Sequence, residues 1–437
     1  MANVRSLFCF ILISVCIMGC DSNSNSNFVK VRDTRFEING KPYFFVGTNF
    51  WYGMNLGSKG QGGDRERLLR ELDALKEMGV TNLRVVAGSE GPDSEPYRMV
   101  PAMQIKPGEY NMEVVDGLDF LLNEMKKRDM RAVMCLADFW NWSGGMGQYI
   151  VWSGAADSIP YPPPHPGGSW GTYQEFTAQF YSNQKAVEML NDHIRFVVNR
   201  TNSYSNISYK DDPTIMAWEL ANEPRGVNNV AAYRKWLSNT TALIKQLDAN
   251  HLVTTGSEGT TSSSYSGTDP EADHADPNVD YQTVHVWVQN WNVYDPKKAD
   301  STYGPSVDYM LAYLKKHEEV SRKLNKPMVL EEFGISRDGN DHAANTPTSI
   351  RDQYYDAVLG AVYRYAKEKN SVVSGVNFWA WAGEGRPHTP EGFWKAGHDF
   401  IGDPPHESQG WYSVYDNDSA TINVIRKYAA QMNHLDN

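Results

Sequence analysis

Cysteine is almost missing from the body of this chain. Of four cysteines in 437 residues, Cys9, Cys16 and Cys20 fall at the extreme N-terminus. Cys135 is the only other thiol, so no intramolecular disulfide framework exists. It lies in the apolar run Val133-Met134-Cys135-Leu136, where a buried, inert thiol is expected. Basic charge is also short: 41 Lys and Arg face 53 Asp and Glu, a formal net charge of −12. That balance excludes the basic surface nucleic-acid binding requires. No glycine-rich phosphate loop follows the first apolar strand, which argues against dinucleotide chemistry. No zinc signature occurs either, since His317-Glu318-Glu319 lacks a second histidine at the H-E-x-x-H interval. The acidic patch 269–280 lacks the spacing of a calcium loop and reads as solvated acids. Neither a metal nor a cofactor is expected.

Long hydrophobic runs are missing too, apart from 7–18, which is of secretory length and too short to span a bilayer. Arg5 precedes it, and Ile17-Met18-Gly19-Cys20 closes it in the manner of a bacterial lipobox. Residues 1–20 are therefore expected to be a lipoprotein signal peptide with lipidation at Cys20, and 21–27, a Ser/Asn alternation, a flexible tether. The lipid anchor would be the protein's sole contact with a membrane. It points to an outer-membrane lipoprotein at the cell surface or the periplasmic face.

Short apolar strands alternating with amphipathic helices make up the body, 28–437. Strands are expected at 43–47, 82–86, 131–136, 215–218, 252–255, 283–286, 328–333 and 375–379. Helices are expected at 64–78, 114–128, 186–198, 230–249, 306–324, 350–368 and 422–432. The connection 256–281 carries no helical pattern. Repeated alternation requires a parallel sheet, and eight units close into a (β/α)8 TIM barrel, a single α/β domain. A doubly wound open sheet is the runner-up. The loops 144–173 and 382–412, rich in Trp, Gly, Pro and His, have lengths that usually mark function.

The chemistry concentrates where strands end. Trp218 to Gly226 reads W-E-L-A-N-E-P-R-G, a buried strand delivering Asn222 and Glu223 to the rim before Pro224 stops the ladder. About a hundred residues later Pro327 to Gly334 reads P-M-V-L-E-E-F-G, a second strand ending in acid. Two carboxylates on separate strand ends can face one glycosidic bond. Glu331 and Glu332 compete for the second place, and strand alternation predicts that only one faces the substrate. Arg84, His285, Glu258 and several tryptophans finish on the same rim.

Asn222-Glu223-Pro224 and Glu332-Phe333-Gly334, with Arg84, His285 and Trp379, resemble glycoside hydrolase family five of clan A. The wording W-E-L-A-N-E-P-R-G, S-G-G-M-G-Q-Y and N-F-W-A-W is similar to its β-mannanase branch, and the match runs from about residue 36 to the C-terminus. The resemblance implies retaining hydrolysis of β-1,4-mannosidic bonds in mannan, galactomannan, glucomannan or manno-oligosaccharides, with Glu223 as acid/base and Glu332, immediately before Phe-Gly, as nucleophile. It also implies that Arg84 holds Glu332 ionised, that Asn222 meets a sugar 2-hydroxyl, and that Trp379 lies beneath the cleaved sugar. Arg225 would reach a leaving-group sugar, with Arg386 a second candidate and Glu258 a polar wall. Trp51, Trp140, Trp142, Trp152 and Trp291 are candidate outer platforms. Many relatives carry a tyrosine two residues after the equivalent of His285, and here the position is Trp287, which donates one hydrogen bond and accepts none. The competing readings are a β-1,4-glucanase on the same scaffold and a non-catalytic glycan-binding lipoprotein.

Overall fold

The computed structural model describes residues 27–435. The expected signal peptide with Cys20, and the expected tether up to residue 26, lie outside them. No helix of the described residues is long and apolar enough to cross a membrane.

Eight parallel strands form one sheet: β1 (Phe45–Asn49), β2 (Asn82–Val86), β3 (Arg131–Cys135), β4 (Ile215–Glu219), β5 (Leu252–Thr254), β6 (Gln282–Val286), β7 (Met328–Phe333) and β8 (Val373–Phe378). Almost every residue in them is buried, as befits strands covered on both faces. Pairing runs β5-β4-β3-β2-β1-β8-β7-β6. The remaining seam between β5 and β6 has no ladder. Backbone bonds Asp280 N to Val253 O (2.8 Å) and His285 N to Glu258 O (3.1 Å) close it. The result is a (β/α)8 TIM barrel.

Each strand is followed by a helix: α1 (Arg65–Glu77), α2 (Met112–Lys127), α3 (Gln184–Val198), α4 (Val230–Leu247), α5 (Pro270–His274), α6 (Ala299–Leu324), α7 (Ser349–Ala366) and α8 (Ser419–Asn433). Their starts follow capping chemistry. The Asp64 side chain accepts from Arg67 N, that of Asn111 from Glu113 N, and that of Asn183 from Ala186 N. Helix α5 corrects the expectation that 256–281 is helix-free. Five residues show no periodicity, but Asp269 caps the N-terminus and Pro270 fits the first turn. The loop 144–173 likewise holds a helix, Gly145–Ser153, and the start of another, Trp170–Thr177. The first six residues of the former, 145–150, are all buried.

An antiparallel meander (Lys30–Arg32, Arg35–Ile38, Lys41–Pro42) covers the N-terminal mouth. Its Phe36 stacks on Phe45 and meets Tyr281 edge-on, with centroids 6.5 and 5.3 Å away. Burying a ring of that size contributes about 1.5–3 kcal/mol. The apolar plug at one end leaves the polar side chains to gather at the other.

Candidate active site

Arg84, at the middle of β2, is the hub of the barrel's C-terminal mouth. Its guanidinium is buried and binds Glu219 through Nε (3.0 Å) and Nη2 (2.5 Å), Asn49 Oδ1 at 3.1 Å and Asn222 Oδ1 at 2.8 Å, and it also donates to Glu332. A buried guanidinium is tolerable only with its charge matched and its donors used, and here two carboxylates meet both needs. Asn222 is held from the other side by Asp138, whose Oδ1 accepts from Nδ2 at 3.2 Å. Burial pushes the Asp138 carboxyl well up.

Glu223 follows β4 at a sharp turn with φ +48°, a conformation costing a non-glycine residue about 1–3 kcal/mol. Its N–H is taken by Gly256 O at 3.0 Å. Gly256 itself has φ +74°, and a Cβ there would lie 1.9 Å from Ala221 O, so the close approach requires glycine. The Glu223 carboxylate accepts from His285 Nδ1 at 2.8 Å and Trp140 Nε1 at 2.8 Å. Glu332, on β7, accepts from Arg84 and from Trp287 Nε1 at 3.1 Å, with His285 Nδ1 3.3 Å away. One oxygen of each glutamate and one His285 nitrogen all lie within 4.8 Å of one another.

These charges shape one another. Burial alone would lower the His285 pKa, but Glu332, Glu223 and Glu331 outweigh it and hold the imidazole well above its usual range. Burial would raise Glu223, yet the His285 hydrogen bond and charge, then Arg225 and Trp140, bring it down to about 2. The proton between these two partners therefore rests on His285. Glu223, His285 and Glu332 are close enough to ligate an ion, but the Arg84 guanidinium and a charged imidazole oppose a cation there.

Strand alternation does not separate Glu331 from Glu332. The β6–β7 register runs Val284 to Leu330 and then His285 to Glu332, leaving Glu331 as an extra residue in a β-bulge. Both carboxylates consequently turn inward. Glu331 Oε2 lies 3.7 Å from His285 Nε2 and 3.8 Å from Arg84 Nε, while Asn49 Nδ2 donates to the Glu331 carbonyl at 2.8 Å.

Above this cluster opens a cleft of about 520 Å³. Asn222, Glu223, Arg225, Glu258, Trp287, Glu332, Trp379 and Trp140 line it, as do Trp142 and Trp291. Arg84 and His285 lie beneath it. The Trp379 indole N–H has no protein partner among the described residues. Arg225 forms a fork on Glu258 (2.7 and 2.8 Å), donates to Gln174 and sits 4.9 Å over the Trp140 ring. Burial raises the Glu258 carboxyl to about 7.

Other candidates are placed elsewhere. Trp51 is a correction: it is 2% exposed, its ring is wedged against Tyr52, Trp142 and Phe400, and its N–H is used by Gly402 O at 3.0 Å. It borders a small cavity with Arg84, Asn222 and Trp379 and does not line the main cleft. Trp152 packs on Tyr149, and Arg386 pairs with Asp416. Conversely, Trp170, Gln174, His406 and Glu407 line the cleft without having been singled out. The length of 144–173 and 382–412 marked the loops containing Trp170, His406 and Glu407, but no periodicity says which side chain of such a loop turns inward.

Comparison with known proteins places this geometry. Residues 26–437 match the family described as GH family 5 β-mannosidase-like. A glycoside hydrolase family 5 mannosidase from Rhizomucor miehei superposes with a TM-score of 0.86 at 40% identity, covering 94% of this chain and 98% of its own. A mutant of that enzyme has been solved in complex with mannosyl-fructose. Mannan endo-1,4-β-mannosidase 1 of Solanum lycopersicum is 31% identical over 410 residues, 89% of this chain and 91% of that protein. The endo-β-1,4-mannanase of Thermotoga petrophila, at 24% identity and a TM-score of 0.66 over 91% of this chain and 78% of its own, shares the fold.

Proposed function

The chain belongs to the β-mannosidase-like glycoside hydrolases of family 5, and on that premise we propose that it hydrolyses β-1,4-mannosidic bonds with retention of configuration. The reading rests on the approach of the Glu223 and Glu332 oxygens to within 4.8 Å at the floor of an open cleft. Retaining enzymes keep their carboxyl groups about 5–5.5 Å apart, which leaves no room for an intervening water.

Glu332 attacks the anomeric carbon while Glu223 gives its proton to the departing glycosidic oxygen. Glu223 then removes a proton from the water that releases the sugar from Glu332. Arg84 and Trp287 each take one Glu332 oxygen, which keeps the nucleophile aimed. Asn222, immobilised by Arg84 and Asp138, offers its second amide hydrogen to a sugar 2-hydroxyl. Trp379 presents a ring face beneath the cleaved sugar, and Arg225, pinned by Glu258, faces the leaving-group side. Substrates are β-mannans and manno-oligosaccharides, in keeping with the activity for which the tomato relative is named and the sugar bound by the Rhizomucor mutant. We assign the mature protein to a lipid anchor at Cys20 on the outer membrane; loss of fatty-acid labelling in Cys20→Ala tests that assignment.

Reducing-sugar release from mannan, galactomannan, glucomannan and cellulose, by wild type and Glu332→Ala, tests the activity. Release from cellulose alone would favour the glucanase, and release unaffected by the substitution would remove Glu332 from the chemistry. Internal cleavage matches the tomato relative's name. A second reading, trimming of chain ends, is favoured by the Trp170–His406 contact (6.2 Å between centroids), which joins the loops after β3 and β8 across the cleft. Product analysis on reduced mannohexaose separates the two.

A further inference from the structure

Glu90, in the loop after β2, is 1% exposed and takes no part in the chemistry described above. Its Oε2 accepts from Gly145 N at 2.7 Å, and its Oε1 lies 3.0 Å from the Tyr149 hydroxyl. A chain of contacts runs on from there. The Tyr149 hydroxyl is 3.1 Å from Gln104 Oε1, and Gln104 Nε2 donates to the Tyr110 hydroxyl at 3.3 Å. That hydroxyl is 3.3 Å from His193 Nδ1, and His193 Nε2 lies 3.1 Å from Ala87 O.

The hydrogens available fix each donor. The Ala87 carbonyl can only accept, so His193 carries a hydrogen on Nε2. Burial pushes the imidazole pKa down to about 4, so the ring is neutral and Nδ1 accepts from Tyr110. The Tyr110 oxygen then receives the Gln104 amide, and the Gln104 carbonyl receives the Tyr149 hydrogen. Turning the Gln104 amide over would spend the Tyr110 hydrogen on its carbonyl and leave Nδ1 unpaired. Tyr149 has no second hydrogen for Glu90, so a proton on Glu90 Oε1 makes the last contact.

We propose that Glu90 is a positioning residue that works as a neutral acid: its proton completes this chain, its other oxygen pins Gly145, and the pinned segment holds Trp140 on Glu223. The proposal rests on the assignment of Glu223 as acid. Residues 138–146 close on themselves, with Met146 N donating to Asp138 O at 2.8 Å and Trp140 N to Asp138 Oδ1 at 2.9 Å. Glu90 ties the far side of that loop twice, through Gly145 N and through its own N–H, which donates to Ser143 O at 2.7 Å. Trp140 Nε1, 2.8 Å from Glu223 Oε2, is held by the same loop.

The surrounding groups agree with a stored proton. Arg98, from the same connection, gives its guanidinium to the Glu90 and Gly91 carbonyls (3.0 and 3.3 Å) and to Tyr161, which donates to Glu95. Tyr149 comes from the helix Gly145–Ser153, Tyr110 from the strand Glu109–Tyr110, and His193 with Asp192 from α3. Burial raises the Glu90 carboxyl to about 7, against the pull of Gly145 N–H, Tyr149 and Arg98. Above that pH the anion claims the Tyr149 hydrogen and leaves the Gln104 carbonyl facing a bare oxygen in a buried site, which costs about 1–3 kcal/mol.

Glu90→Gln reproduces the neutral acid, its amide nitrogen donating to Tyr149 and its oxygen accepting from Gly145. Glu90→Ala removes both contacts. The link to the acid is read from kcat/KM on mannobiose and on a dinitrophenyl β-mannoside, whose leaving group needs no proton. At pH 6, Glu90→Gln should stay within about threefold of wild type on both, while Glu90→Ala should lose at least about tenfold on mannobiose and much less on the aryl mannoside. Equal losses on the two substrates, or a Glu90→Gln as damaged as Glu90→Ala, overturn the proposal. Should Glu90→Ala fail to fold, Tyr149→Phe decides, because it breaks the chain one residue along. A loss confined to mannobiose supports the proposal, and an equal loss on both substrates, or none, refutes it.

Urea midpoints between about pH 5 and pH 8 read the proton. A carboxyl raised above its unfolded pKa of about 4.3 gives stability that is complete below that value and lost as pH rises through the folded one. The wild-type midpoint should therefore fall relative to that of Glu90→Gln across this range, and a constant gap overturns the neutral acid. Glu223→Gln and Glu332→Ala, assayed alongside, keep the two questions apart. If either retains wild-type rates the catalytic assignment fails, whereas loss in both with Glu90→Ala scaling the two substrates alike sinks the positioning role alone.

Discussion

The indole N–H of Trp287 donates to Oε2 of Glu332 at 3.1 Å. The same oxygen lies 3.3 Å from His285 Nδ1, while Arg84 binds the other. Trp287 thus provides the single donor this position needs, on a ring that also packs at 5.9 Å against Trp379 and 5.1 Å against Tyr412.

Trp287→Phe removes that donor and leaves the ring. We expect kcat/KM to fall by about 10- to 100-fold, with partial recovery in Trp287→Tyr. Steady-state kinetics on a manno-oligosaccharide measure both; equal rates in Phe and wild type would mean that the contact does not hold the nucleophile.

Glu223→Gln removes the acid and spares Glu332. Mannobiose turnover should drop by about 10²–10⁴-fold, and turnover of an activated aryl mannoside far less in its first step. Burst kinetics read that step directly. A loss independent of the leaving group would contradict the acid role.

Arg84→Ala strands Glu219 and Glu332 without their cation. Breaking a buried ion pair from one side costs about 3–5 kcal/mol, so a fall in the urea midpoint should accompany loss of activity. Normal stability in the variant would show that the two carboxylates find other compensation.

Trp51 and Trp170 separate packing from binding. Trp51→Phe loses the bond to Gly402 O and should cost about 1–3 kcal/mol of stability with KM unmoved. Trp170, 40% exposed on the rim, should when changed to Ala raise KM by a factor of about three to ten with little change in Tm.

The Asp248 carboxyl carries a pH signature. Burial would raise it, but the His251 hydrogen bond and charge, then Trp218 Nε1 at 2.7 Å, hold it below its usual range. A depressed carboxylate stabilises the fold above its unfolded pKa of about 3.9 and loses that contribution as pH falls through the lower folded value. Wild-type Tm should therefore drop more steeply below pH 4 than that of Asp248→Asn. Parallel curves would assign the pair no role in acid stability.

Local pattern was enough for the barrel and for the two motifs that reach its mouth. Strand and helix periods depend on neighbours a few residues away, so seven helices and eight strands were legible from the apolar–polar pattern alone. The Asn222-Glu223-Pro224 and Glu332-Phe333-Gly334 endings marked the chemistry in the same way. Helix α5 was too short to carry a period, and the platform assigned to Trp51 failed because an indole's exposure depends on what Phe400 and Trp142, far along the chain, place over it.

By itself, the sequence determined which residue types stand at the strand ends, and hence that two carboxylates, an arginine and a histidine would share one rim. Tertiary structure alone decided which of two adjacent glutamates faces what. A one-residue offset between β6 and β7 turned Glu331 inward beside His285, and register between strands follows from packing across the whole barrel rather than from either strand's own residues.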